Sequence, residues 1–182
     1  MEAETLADLS ILAPVLGLLC TALVVLALDL ARPDGSGRVS GLLALAGVTC
    51  AALMGWRMWP GAGSGMAGPG LDGSVDATLL LDRFAMYASW IVLMATVASI
   101  AVSLGYTARW RIPGAEYFAF LLVASAGMLT LVLANELIVL FLVLETFSLA
   151  LYVLCASVPD QRPGLEAAVK YFVVGSVAAA FF

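Results

Sequence analysis

The sequence has no histidine and very little charge. Its 182 residues include eight lysines or arginines and thirteen aspartates or glutamates, 12% of the chain. Soluble domains carry about 25% charged and about 45–50% apolar residues. This chain is 63% hydrophobic, with a mean hydropathy of +1.07. That composition excludes an ordinary soluble enzyme and a disordered tail. A net charge of −5 with no basic cluster excludes nucleic acid as a partner. Cysteine is scarce as well. Cys20, Cys50 and Cys155 lie far apart in apolar runs without a C-x-x-C, so a disulfide framework, a zinc site and an iron–sulfur site all lack a ligand set. Without histidine, the commonest haem and metal ligand is missing too. No Walker A, G-x-S-x-G or H-E-x-x-H sequence occurs.

What the chain does have is long apolar runs. A helix needs about 20 apolar residues to cross a bilayer core of roughly 30 Å. Six stretches meet or approach that length, at about 10–30, 39–59, 78–104, 115–134, 136–156 and 165–182. They are too long, and alternate too little, for barrel strands. The expected fold is an all-α membrane protein of about six transmembrane helices in a single polytopic domain. Glu2, Glu4 and Asp8 make the start acidic where a signal peptide is basic, and no small-residue cleavage site follows. Pro14 falls in the first turn of the first helix, where a missing N–H is tolerated.

The basic residues set the orientation. Arg32 and Arg38 lie in the first connection, Arg109 and Arg111 in the third, and Arg162 in the fifth. The second connection, 60–77, has none, with Arg57 at its edge, and the fourth is little more than Asn135. The positive-inside rule then puts the amino terminus outside and the odd loops in the cytoplasm. Trp56, Trp59, Tyr106 and Trp110 sit near span ends, as interfacial anchors do.

Several motifs carry little. Gly63, Gly65 and Gly68 match G-x-G-x-x-G, but no strand precedes them and Pro69-Gly70 follows. A flexible outer loop explains them better than a dinucleotide site. Asp82 and Arg83 open the third span and read as an interface marker, with Arg83 snorkelling. Asp29 and Glu116 are also at span ends. Tyr117 and Tyr171 read as interfacial or packing aromatics.

Two ionisable residues resist that explanation. Glu145 is nine residues from the start of its span and eleven from the end, about 14–16 Å from either at 1.5 Å per residue. A carboxyl at that depth costs at least ~2.5 kcal/mol on insertion scales, so it normally faces a bundle interior and serves a function. Desolvation favours its protonated form and a nearby cation its ionised form, which suits a proton carrier. Ser148 and Tyr152 are three and seven residues on and share its stripe. The plainer alternative is a protonated glutamate acting as interhelical glue. Lys170 lies about one and a half turns into the last span. It either snorkels outward or reaches toward Glu145 across an estimated depth difference of about 8 Å. Gly175 and Ala179 form a small-x-x-x-small pair that permits close helix approach. Glu136 is nearer a span end, where the helix dipole favours a carboxylate.

The run from Ala134 through Glu145, Ser148 and Tyr152 to Leu154, followed by Leu165, Glu166, Lys170, Tyr171 and Phe172, resembles the antiporter-like, proton-translocating subunits of respiratory complex I. Within that family the likeness is to the subunit N type. The resemblance implies that Glu145 is a key protonation site and that Lys170 belongs to the polar network beside it. Ser148, Tyr152 and Glu136 would support them. It also implies that this chain binds no cofactor, because NADH, FMN, iron–sulfur clusters and quinone belong to other subunits. The implied partners are other membrane subunits of the complex and the lipid bilayer. Seven arginines to one lysine, with abundant alanine and glycine, point to a GC-rich bacterial genome, and with the positive-inside pattern the expected location is a bacterial cytoplasmic (inner) membrane. Family members have about fourteen helices, with two inverted repeats, so the chain is expected to stop within the first repeat. A stand-alone Mrp-like cation/proton antiporter component and a non-catalytic scaffolding piece are the alternatives.

Overall fold

The computed structural model describes residues 11–31, 37–62, 79–110, 112–158 and 162–181. The acidic start, Arg32, Arg111, the side chain of Trp59, the glycine-rich stretch 63–68 and Phe182 lie outside the described residues. Six helices follow one another: α1 (Ala13–Ala31), α2 (Gly37–Ala62), α3 (Arg83–Trp110), α4 (Gly114–Leu133), α5 (Leu137–Cys155) and α6 (Arg162–Phe181). Each is long and apolar enough to cross a membrane.

Local chemistry sets the boundaries. Pro14, Pro113 and Pro163 fall in or just before the first turns of α1, α4 and α6, where the missing N–H has no intrahelical partner in any case. The third helix starts later than hydropathy suggests. Leu79 forms an antiparallel bridge with Ala134, and the Leu80 N–H donates to the Leu133 carbonyl at 2.8 Å. The helix begins only after Asp82, whose Oδ1 accepts the Ala85 N–H at 2.6 Å. This is N-capping, which satisfies one of the orphan donors of the first turn. At its other end α3 continues past residue 104 to Trp110, with Tyr106 and Trp110 rings 6.4 Å apart.

Helix α4 is the centre of the bundle. It packs against α1, α2, α3 and α5, whereas α6 touches only α5 among the described helices. The shared core joins Leu18 and Ala22 of α1, Val48 of α2, Ile100 of α3, and Phe118 and Leu122 of α4. Small residues let α4 take this place. Ala119, Ala124, Ser125, Ala126 and Gly127 are all buried, and small residues allow membrane helices to approach closely. A Cβ added at Gly127 would lie 3.1 Å from Phe147 Cβ on α5. Hydroxyls link α3 to α4. Thr96 donates to Ser125 Oγ at 2.9 Å, and Ser103 and the Tyr117 hydroxyl are 3.0 Å apart.

The α5–α6 contact depends on one aromatic side chain. The Tyr152 ring meets Tyr171 and Phe172 edge-on, at centroid distances of 4.9 and 5.7 Å. Its hydroxyl fills the space that a Cβ at Gly175 would need. This is the close approach expected of the Gly175/Ala179 pair.

Two outcomes follow. Gly175→Ala forces the tyrosine away and destabilises the α5–α6 contact by about 1–3 kcal/mol. Combining it with Tyr152→Phe recovers part of that loss in thermal unfolding of the full-length subunit in detergent. Asp82→Ala lowers stability in the same assay by about 1 kcal/mol, while Asp82→Asn retains most of the cap.

Candidate functional site

The site is built on α5, a continuous apolar helix interrupted by one ionisable residue. Successive helical residues are about 100° apart, so the α4-facing Phe147 fixes the direction of the rest. Glu145, two residues earlier, points about 200° away from Phe147. It shares its stripe with Ile138, Leu142 and Leu149, which are 71%, 58% and 52% exposed. Glu145 itself is half-buried. Among the described residues nothing hydrogen-bonds or ion-pairs with its carboxylate. The middle of α5 therefore presents an unpartnered carboxyl on the side away from α4.

The expected companions are placed unevenly. Ser148 is half-buried one turn along the same face but makes no hydrogen bond to Glu145. Tyr152 is buried and committed to α6 through Tyr171, Phe172 and Gly175. Glu136 is exposed at the N-cap position of α5, where its carbonyl accepts the Leu140 N–H at 2.9 Å. Nine residues of helix, about 13–14 Å, separate it from Glu145.

Lys170 is not brought to Glu145. Its Nζ donates to Glu166 Oε1 at 2.5 Å, one turn earlier on α6. Helix geometry gives the reason. Ala168 is buried against α5, and Lys170, two residues on, points about 200° away from it. The α6 face that carries the ammonium is turned away from α5.

Three features were missed at the sequence level. Glu166 is the partner of Lys170, and its spacing of four residues was the available signal. Asp82 caps α3, where an interface marker was expected. The buried hydroxyls of Thr96, Ser103, Thr107 and Ser125 left little trace, since serine and threonine are common in apolar spans. The packing reading of the tyrosines fits what is seen, with Tyr117 against Ser103 and Phe118, and Tyr171 against Tyr152.

Beside the Glu145 stripe an open apolar groove runs between α4, α5 and α6, with Phe120, Val123, Leu149, Ala150 and Phe172 in its walls. Two polar side chains of α5 line it: Thr146, which donates to the Leu142 carbonyl of its own helix at 2.9 Å, and Tyr152, whose hydroxyl lies against Gly175. The acidic side chain on this face of α5 is Glu145, and a carboxyl is a group that can bind or give up a proton.

Comparison with known proteins places relatives along nearly the whole chain. The transmembrane family described as NADH:quinone oxidoreductase/Mrp antiporter matches residues 134–182, which contain both Glu145 and Lys170. The NADH-quinone oxidoreductase subunit N of Chloroflexus aggregans is 38% identical over 176 residues, covering 96% of this chain and 34% of the relative. Subunit N 1 of Symbiobacterium thermophilum is 38% identical over 177 residues, with the same coverage of 96% and 34%. Subunit N of Paramagnetospirillum magneticum is 44% identical over 103 residues, or 57% of this chain and 21% of that protein. The chain spans about one third of the length of the first two relatives. By these matches and its six-helix membrane fold, the chain belongs to the subunit N family of NADH-quinone oxidoreductases.

Proposed function

We propose that this chain is part of a proton-translocating membrane subunit of an NADH:quinone oxidoreductase, with Glu145 as a protonation site. The observation that carries the reading is a half-buried, unpartnered carboxyl near the middle of a membrane-spanning helix. An approaching positive charge favours the ionised form of any carboxyl, and its withdrawal favours the protonated form. A conformational change that moves a cation toward Glu145 would release its proton, and withdrawal of the cation would restore it. Electron transfer elsewhere in the complex supplies the energy, as a coupling free energy between distant sites.

The supporting roles follow from position. Ser148 lies within one turn of the carboxyl and can accept or donate along a proton path. Tyr152 holds α5 to α6, so motion of α6 is felt near Glu145. Lys170 supplies the ammonium on α6, and Glu136 marks the outer end of α5. NADH, FMN, iron–sulfur clusters and quinone are assigned to other subunits. The partners are neighbouring membrane subunits, within a bacterial cytoplasmic membrane.

In the assembled complex, Glu145→Gln is expected to lower the rate of proton pumping coupled to NADH oxidation about tenfold or more, as loss of a proton-transferring group does. Fluorescent-dye quenching in inverted membrane vesicles, followed together with NADH oxidation, checks this. Unchanged pumping overturns the role given to Glu145. Sodium/proton exchange by the subunit in vesicles free of every other subunit would favour the stand-alone antiporter reading instead.

A further inference from the structure

We propose that Glu166 is the positioning residue of Lys170: it holds the side-chain amine on the face of α6 turned away from α5, and so keeps it from Glu145. The inference deepens the proton-translocating reading, on which its functional consequence rests. The pairing itself can be tested without turnover.

Lys170 lies eight residues beyond the first residue of α6, about 12 Å along the helix. An ammonium at such a depth is costly unless it is paired or reaches water. It is the only lysine in the 182 residues. Its Nζ donates to Glu166 Oε1, and a hydrogen bond between oppositely charged groups is stronger than one between neutral groups. The glutamate precedes the lysine by four residues, the better orientation for a helical pair. Neither side chain is covered by another described helix, with relative exposures of 73% for Lys170 and 66% for Glu166.

The groups around the pair account for the choice of partner. Helix α5 is the one described helix that α6 packs against, and its carboxyl, Glu145, is on the other side of the α6 axis from Lys170. On α6 itself, Arg162 lies one turn before Glu166, on the same face at a spacing of four residues. Glu166 is thus flanked by two cations, and the ion pair in the structure is with Lys170. If Lys170 swings away, Arg162 remains within one turn to partner the carboxylate. Releasing Lys170 toward another acid therefore need not leave Glu166 alone.

The test is the reactivity of the Lys170 amine in the assembled complex in native membranes. The probe is acetic anhydride, a membrane-permeant acylating agent that reacts with the neutral amine, with the Lys170 peptide quantified by mass spectrometry. Glu166→Gln is expected to raise the acylation rate of Lys170 about tenfold, equivalent to about 1.4 kcal/mol of pairing. Glu166→Asp keeps the charge and stays much closer to the wild-type rate. Glu145→Gln changes the rate less than about twofold, the scale of a weak, distant pair. An unchanged rate in Glu166→Gln overturns the proposal. So does a rise in Glu145→Gln that matches or exceeds the rise in Glu166→Gln. Where Glu166→Gln prevents assembly, Glu166→Asp and Glu145→Gln still decide, because a fast rate confined to Glu145→Gln assigns the ammonium to the wrong acid. Failure of Glu145→Gln to affect pumping would refute the proton-translocating reading and leave this labelling result intact.

Discussion

Charge inside a bilayer has to be neutralised, paired or carried to water, and the arrangement of this chain follows from how it meets that requirement. The backbone is satisfied within six helices, as a membrane demands. Ionisable side chains within the spans are few. Glu166 and Lys170 on α6 neutralise each other. Glu145 on α5 has no partner among the described residues. A lone carboxyl at that depth is costly to place in a membrane, and any approaching cation changes its surroundings. The same physical cost that makes such a residue rare makes it responsive.

The packing determines where that carboxyl can act. Helix α4 fills the centre because its buried face is built from alanine, serine and glycine, which admit α1, α2, α3 and α5 at short range. Hydrogen bonds between membrane helices average only about 0.6 kcal/mol. The Thr96–Ser125 and Ser103–Tyr117 contacts therefore fix the rotation of α3 against α4 more than they add stability. Once Phe147 of α5 is seated on Gly127, helix periodicity turns Glu145 away from α4. The contact of α6 with α5 is narrower and centres on Tyr152. Beside it, Ala168 is buried and Gly164 lies against the Cys155 carbonyl, so small residues complete the contact.

Much of this was legible in the residues, and the limits have physical causes. The apolar runs located all six helices, and those at 115–134 and 136–156 agree with α4 and α5 to within about one residue, well inside the usual scatter of helix ends. Hydropathy measures how far the apolar run extends, which differs from where the helix ends. It therefore stopped α3 at 104, although Tyr106, Arg109 and Trp110 continue it, and started α6 at Leu165, three residues after Arg162. At residues 79–82 the chain is apolar yet extended, because Leu79 pairs with Ala134 before the Asp82 cap begins the helix. Glu145 stood out by depth alone. The direction of Lys170 did not, because it depends on which α6 face meets α5. That face is set by Gly175 and Ala168, and once it is known the pairing with Glu166 follows from a spacing of four residues.

The proposed function assigns proton exchange to Glu145, while the structure holds the Lys170 amine at Glu166. The most direct measurement is redox-triggered infrared difference spectroscopy of the assembled complex, which detects individual carboxyl groups as they gain or lose a proton. If Glu145 exchanges a proton, a protonated-carboxyl band changes on reduction by NADH and is missing from the Glu145→Gln complex. The same band, unaltered in that variant, would contradict that assignment.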